Sequence, residues 1–404
     1  MLFSAAAPPP GAAVPAADGR IPVTILTGFL GAGKTTLLSR LIAQPEMAGT
    51  AVLINEFGAI GIDHHLVESL DEATVLLASG CLCCSVRGDL ADALKRLHAR
   101  LSRRELARLD RIVIETTGLA DPLPVVATLA EDRFLAARFV CDGVITVVDA
   151  SLGLGQLGRQ REAVRQVAMA DRLILTKTDL ADAATFAALS ARLAALNPAA
   201  DRIVARHGAV APAALFAAGV HAPCGEARVL GWLGEAEAGD DPHRDSRATS
   251  FSLTLPPLAR WRGFAVVMGG ILADYGPRLL RIKGLIALCG AMAPAVIQCV
   301  EDVACPVTML KRWPAGTTET GRLVFIGEGL DAAAEADIRA RLSDLPDDIA
   351  ARRIAARRPL LATRCWLSAP VPATDARRFE TEAFRVQPHA FAGTAGRTAR
   401  TGRA

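Results

Sequence analysis

Short runs of β-branched residues and leucine recur from residue 21 to about residue 220, each followed by a longer stretch with helical spacing of apolar positions. The runs at 22–27, 51–54, 74–77, 111–115, 144–148, 172–176 and 202–205 have strand length and little polar alternation, as strands buried on both faces should. Asp89–Ala107 and Gly158–Ala168 instead repeat apolar residues at helical intervals. Strands alternating with helices predict an α/β fold, a parallel sheet with helices on both faces. A second pattern covers 248–345: strand-like Thr249–Leu255, helical Trp261–Leu272 with Leu279–Ile282 read as helical too, strand-like Val296–Val300 and Arg322–Ile326, and a last helix over Ala333–Leu342. This predicts a small C-terminal α+β domain. The Ala/Pro/Gly-rich residues 1–20 read as disordered, the polar residues 221–247 as a linker, and the arginine-rich residues 346–404 as a basic, disordered tail.

Composition adds limits. The 404 residues are 51% hydrophobic but only 4% aromatic, so the cores must be mostly Ala, Leu, Val and Ile. A net charge of +3 is too small to point to nucleic acid. No apolar run is long enough to span a membrane, and the start lacks the basic and apolar regions of a signal peptide, so a cytoplasmic location is expected. The nine cysteines then read as thiols, with three of them clustered at 81–84.

The clearest chemistry lies at Gly28-Phe29-Leu30-Gly31-Ala32-Gly33-Lys34-Thr35, a complete phosphate-binding loop between a predicted strand and the helix-forming Thr36–Ile42. Only five of the forty-five basic residues are lysines, so Lys34 inside Gly-Lys-Thr is not a casual placement. Glycines let the backbone curl so that N–H groups face phosphate oxygens, and the helix N-terminus adds positive potential. Lys34 is expected to reach the β- and γ-phosphates and the Thr35 hydroxyl to bind Mg²⁺. Gly28, Gly31, Ala32, Gly33 and Thr36 complete the nucleotide-contacting backbone. Downstream, the apolar run Ile112-Val113-Ile114 ends in Glu115, a carboxylate placed for Mg²⁺, and Gly118 allows backbone approach to the γ-phosphate. Thr176-Lys177-Thr178-Asp179 follows another strand, where GTP-binding proteins place Asn-Lys-x-Asp. Asp179 suits guanine N1 and the 2-amino group, and the Lys177 stem suits the base. Thr176 stands in the Asn position, so the Asn contribution is expected to be weakened or lost.

Cys81, Cys83 and Cys84 place three thiols within four residues, a set suited to Zn²⁺, Co²⁺, Ni²⁺ or Cu⁺. Three thiolates leave one tetrahedral position for water, another side chain or a partner protein. Glu56, Asp63, His64 and His65 are nearby candidates. Buried apolar cysteines or a redox pair are the other readings.

With these residues in place, the chain resembles the CobW family of P-loop GTPases and metallochaperones. The pattern is matched at Gly28–Thr36, Asn55–Gly58, Gly80–Cys84, Glu115–Pro122, Val147–Ala150 and Lys177–Asp179, while Arg281–Gly284 and Leu323–Gly327 look like the family's C-terminal domain. The resemblance spans about residues 21–345. It implies a P-loop NTPase sheet, GTP hydrolysis with Mg²⁺, a Zn²⁺ or Co²⁺ site at the Cys-x-Cys-Cys loop, and delivery of metal to a client metalloprotein, with a homodimer open. Departures are Ile54 and Ala59 where members carry Glu, Thr176 where Asn is commoner, Cys299 and Glu301 where members show Gly and His, and the lack of a histidine-rich loop. Two other readings use the same loop: a metal- or redox-sensing regulatory GTPase, and an enzyme coupling nucleotide turnover to a small-molecule reaction.

Overall fold

The computed structural model describes residues 19–55, 74–77, 86–216, 248–255, 259–310, 312–314, 320–357 and 366–367. Cys81, Cys83, Cys84, Glu56, Asp63, His64 and His65 lie outside them, as do most of the expected linker and the ends of the chain.

Among the described residues, seven strands form the first sheet: β1 (Ile21–Gly28), β2 (Thr50–Asn55), β3 (Thr74–Leu77), β4 (Arg111–Glu115), β5 (Phe139–Asp149), β6 (Arg172–Thr176) and β7 (Asp201–Val204). Their order is β3-β2-β4-β1-β5-β6-β7 and neighbouring strands pair in parallel. Helices fill the crossovers: α1 (Lys34–Ile42), α2 (Val86–Ser102), α3 (Leu123–Glu131), α4 (Arg161–Met169) and α5 (Ala183–Leu196). Side-chain alternation divides the core between the two faces. Val23 and Ile25 of β1 with Ile112 and Ile114 of β4 pack against Leu90 and Leu94 of α2 and Val125 and Leu129 of α3. Leu26, Val113, Ile145 and Ile174 pack on the other face against Leu37, Leu38 and Leu41 of α1. The expected doubly covered parallel sheet is therefore present.

The second sheet is antiparallel, built from β8 (Thr249–Thr254), β9 (Leu279–Ile286), β10 (Ala295–Val300), β11 (Val303–Ala304), β12 (Thr308–Met309) and β13 (Arg322–Gly327). Its order is β11-β10-β9-β13-β8, with β12 also on β10. One face is covered by α6 (Trp261–Tyr275) and α7 (Ala332–Ser343) through Phe264, Met268, Ile271, Ile338 and Leu342. The other faces the first domain: Leu280, Val324 and Ile326 pack on Ala168 of α4.

Two expectations need correction. Leu279–Ile282 is not helical but the start of β9, the strand between β10 and β13 with all eight residues buried. Leu279, Ile282 and Ile286 have helical spacing, and the charges of Arg281 and Lys283 imitate a solvent face. Both charges are instead buried against the first domain. The basic tail also does not begin as disorder at 346. Residues Asp348–Arg357 form α8, packed against α6, and Trp366 is buried among Trp261 and Phe264. Trp261 Nε1 donates to Trp366 O at 3.0 Å and Trp366 Nε1 donates to Cys305 O at 2.7 Å. Gly263 admits this packing, because a Cβ there would lie 2.1 Å from Pro346 O. No helix among the described residues is long and apolar enough to cross a membrane.

Between the domains, Arg281 of β9 donates to both oxygens of Asp171 at 2.8 and 2.9 Å and to Gln298 Oε1 at 3.1 Å. Asp171 also accepts from Val144 N at 2.9 Å, and Lys283 Nζ donates to Ala199 O at 3.1 Å. Burial pushes the Asp171 carboxyl up, but the charges of Arg281 and Lys283 and the Val144 N–H outweigh it and hold the group below its ordinary range. Burial pulls the Lys283 ammonium down to about 8 despite the opposing charge of Asp171. Asp171 is 1% exposed and Arg281 2%. Removing one partner of such a pair strands a buried charge, at a cost of about 3–5 kcal/mol. Asp171→Ala should lower the unfolding free energy in urea by about that amount. Arg103→Ala, which removes the exposed partner of Glu105, should cost less than about 1 kcal/mol. Equal effects would contradict the interdomain role of Asp171.

Candidate functional site

β1 ends at Gly28, whose φ is +142° and whose Cβ, if present, would lie 2.3 Å from Val147 O of β5. A side chain there would separate the strands, so only glycine lets the chain leave the sheet at this point. Gly31 and Gly33 follow at φ +74° and +94°, the left-handed region. Ala32 N donates to Phe29 O at 3.1 Å and Leu37 N to Gly33 O at 3.0 Å, closing the loop onto the first turn of α1. Gly33 caps that helix without a side chain, leaving the first-turn N–H groups and the positive helix end facing the loop. Lys34 is 8% exposed and its ammonium donates to Gly28 O at 2.9 Å and Phe29 O at 3.4 Å, inside the curl.

The strands beside β1 bring the remaining groups. Glu115, at the end of β4, is 4% exposed, and its Oε1 accepts from Thr35 Oγ1 at 3.0 Å. A buried carboxylate and a hydroxyl meeting beside a phosphate cradle form a hard-oxygen pair that fits Mg²⁺. Thr116 continues the strand onto β1, with Thr116 N donating to Leu26 O at 2.9 Å and Thr116 Oγ1 to Thr27 Oγ1 at 2.8 Å. At Gly118 a Cβ would lie 2.7 Å from Leu30 N and 2.8 Å from Leu30 Cα. The absent side chain thus lets the loop after β4 rest on the phosphate loop itself.

Thr176, at the end of β6, is 6% exposed, with its hydroxyl 2.7 Å from Ala32 O and 3.2 Å from Val148 O. The hydroxyl thus fastens the strand end to the phosphate loop. Lys177 takes φ +53°, and its ammonium donates to Gly31 O and to Asp149 Oδ2, each at 2.7 Å. Asp179 is exposed two residues on.

Asp149 is an anchor whose individual role the sequence did not single out. It is 1% exposed at the end of β5, and its Oδ1 accepts from Ser151 N, Ser151 Oγ and Leu152 N at 2.8, 2.6 and 3.1 Å. Burial raises the carboxyl's proton affinity, but the bonds from Lys177, Ser151 and Leu152 outweigh it and keep the group below the usual carboxylate range. The available signal was an acidic residue closing the apolar run Val144–Val148, the same signal that marked Glu115. The structure brings together Gly28, Gly31, Ala32, Gly33, Lys34, Thr35, Glu115, Gly118, Thr176 and Lys177. It does not describe Cys81, Cys83 and Cys84, and no group of three or more His, Cys, Asp or Glu among the described residues is placed to hold a metal. Cys299 is buried in the core of the second domain.

Thr176→Val keeps the shape and removes the hydroxyl, leaving the Ala32 carbonyl with one bond fewer. A loss of about 1–2 kcal/mol is expected, so titration with a fluorescent guanine nucleotide should show GTP and GDP bound roughly five- to thirtyfold more weakly. Unchanged affinity would contradict the fastening role.

Residues 22–204 match the family described as CobW/HypB/UreG, nucleotide-binding domain, and residues 248–345 match the cobalamin synthesis protein cobW C-terminal domain. The chain is 35% identical over 281 residues to the zinc chaperone YjiA of Escherichia coli (strain K12), covering 70% of this chain and 86% of that one. It is 30% identical over 358 residues to the zinc chaperone CobW of a Sinorhizobium species, covering 81% and 98%. The crystal structure of Zn(II)-bound YjiA GTPase from E. coli superposes with a TM-score of 0.60 at 29% identity, over 81% of this chain and 99% of that one. The loop geometry and these likenesses agree: the chain belongs to the CobW/HypB/UreG family and is a P-loop GTPase with a cobW-type C-terminal domain.

Proposed function

We propose that this GTPase is a metallochaperone that takes up Zn²⁺ at Cys81, Cys83 and Cys84 and passes it to a client metalloprotein as its nucleotide state changes. The observation that carries the reading is the layout of one sheet edge. β3 ends at Leu77 and α2 begins at Val86, with the three cysteines between them in the chain. β3 pairs in parallel with β2, and β2 with β4, whose end bears Glu115. The strand that leads to the thiols therefore ends on the same side of the sheet as the phosphate loop. Zinc is favoured as cargo because the relatives are named zinc chaperones, and a thiolate set accommodates Zn²⁺ and also Co²⁺.

At the loop, the first-turn N–H groups of α1 and the Lys34 ammonium hold the phosphates. Thr35 and Glu115 are the residues that would hold Mg²⁺, which when bound offsets charge on the β- and γ-phosphate oxygens. Asp179 accepts from guanine, and Lys177, fixed by Asp149, keeps the base-side strand end in register with the phosphate loop. The loop after Glu115 lies against Leu30, where the presence or loss of a γ-phosphate changes what its backbone meets. An incomplete thiolate set suits a carrier, because transfer needs a coordination position that a client can enter.

Two sets of variants separate the parts. Lys34→Ala should abolish GTP binding while retaining Zn²⁺ in equilibrium dialysis against a competing chelator. Cys83→Ser and Cys84→Ser should lose tight Zn²⁺ binding while retaining GTP. Micromolar GTP affinity in Lys34→Ala would remove the phosphate assignment, and unchanged zinc affinity in both cysteine variants would remove the thiol loop from the function.

A further inference from the structure

Helix α4 lies between the two sheets and touches a working part of each. On its first-domain side, Gln166 is 1% exposed, and its Nε2 donates to Gly118 O at 3.2 Å and Ala120 O at 3.0 Å. Both of its N–H bonds thus hold the loop that follows Glu115. Its Oε1 is buried with no hydrogen-bond partner among the described residues, an arrangement that costs stability and is retained together with the grip on the loop. Its neighbour Arg165 faces the same loop and the second domain at once. Arg165 donates to Asp121 Oδ2 from Nε at 3.0 Å and pairs with it through a terminal nitrogen at 2.7 Å; the same nitrogen pairs with Glu301. Asp121 Oδ1 in turn accepts from Leu123 N at 2.9 Å, capping the start of α3. One turn earlier Arg161 donates to Glu328 Oε2 from two nitrogens, at 3.1 and 2.6 Å.

The carboxylates at the far end belong to the second sheet. Glu301 follows directly on β10 and takes φ +50°, a left-handed conformation that a residue with a side chain adopts at some cost. Its N–H donates to Leu280 O at 3.3 Å, so the turn is tied to β9. The helix itself is held fast. Asn197 Nδ2 donates to Val167 O, Ala168 O and Ala170 O at 2.8, 3.2 and 2.8 Å, capping its C-terminal end, and Thr146 Oγ1 donates to Gln166 O at 2.7 Å. A rigid helix with a loop on one side and a strained turn on the other transmits a displacement instead of absorbing it. The Arg165 side chain is 17% exposed and that of Glu301 16%, so their attraction is little screened by water.

We propose that Arg165 and Gln166 are positioning residues for GTP hydrolysis, holding Gly118–Asp121 against the phosphate loop, and that Arg165 makes this setting depend on Glu301 of the C-terminal domain. The proposal rests on the reading of that loop as the element beside the γ-phosphate. Whatever draws Glu301 away then alters the setting of Gly118–Asp121 and with it the hydrolytic step; for the binding equilibria the coupling is reciprocal, so a change from GTP to GDP shifts the turn at Glu301. A partner docked on the C-terminal domain is thereby heard at the phosphates.

Steady-state GTP hydrolysis by the full chain tests this, with kcat, KM and melting temperature recorded for wild type, Glu301→Gln, Arg165→Ala, Arg165→Lys and the double variant. Glu301→Gln keeps shape and hydrogen bonding and removes the charge. It should change kcat about two- to thirtyfold while KM and melting temperature stay near wild type, and it should have no further effect in the Arg165→Ala background. Arg165→Lys keeps the charge without the planar fork and should recover part of the kcat lost in Arg165→Ala; it serves as the background if Arg165→Ala does not fold. An unchanged kcat in Glu301→Gln, or the same factor with and without Arg165, would overturn the relay while leaving the GTPase intact. A wild-type chain without GTP turnover would instead overturn the hydrolytic reading beneath it.

Discussion

Pairing of β1 on both sides by parallel strands is the constraint on which the site depends. Val23–Leu26 run alongside Ile112–Glu115, and Ile21–Gly28 alongside Phe139–Val147. Parallel strands end on the same edge, so Gly28, Glu115 and Asp149 emerge together, and β6 adds Thr176 beside them. To the bonds within the phosphate loop, from Ala32 N to Phe29 O and from Lys34 to Gly28 O, these neighbours add others. Thr176 reaches Ala32, Lys177 reaches Gly31 and Asp149, and Glu115 reaches Thr35. These bonds tie the strand ends to the loop and, at Lys177 and Asp149, to each other, so the loop is set before any ligand arrives, and preorganised donors cost little to align when phosphate binds.

The second domain adds a face instead of a loop. Its sheet lays Leu280, Val324 and Ile326 on Ala168 and buries Arg281 against Asp171. A buried ion pair is weak evidence for stability, but it specifies one register, because a slipped interface would leave both charges unpaired. The two domains are therefore placed for residues on α4 to touch both.

Much of this was legible in the chain because the information is local. The Gly-Lys-Thr spacing, the carboxylate at the end of Ile112–Glu115 and the strand–helix rhythm each lie within a short stretch, and the structure assembles them as their residue types suggest. What escaped depends on residues far apart in sequence. The hydroxyl of Thr176 reaches the phosphate loop only because Ala32, 144 positions earlier in the chain, comes within 2.7 Å. Arg281 and Lys283 made a buried strand look amphipathic, since their partners Asp171 and Ala199 belong to the other domain. Trp366, in an arginine-rich stretch with every mark of a solvated tail, is held by a bond from Trp261, 105 positions away. Gln166 gave no signal, because a single amide in a helix carries no pattern until the carbonyls it holds are known.

The proposed function requires that the phosphate loop and the cysteine loop respond to each other. Its most direct test is a competitive Zn²⁺ titration of the fully reduced chain against a chromophoric chelator, run once with GTP·Mg²⁺ and once with GDP·Mg²⁺. A clear difference in zinc affinity between the two nucleotide states is expected, matched by an equal effect of zinc on the ratio of GTP to GDP affinity. Tight zinc binding that is identical in both states would contradict it.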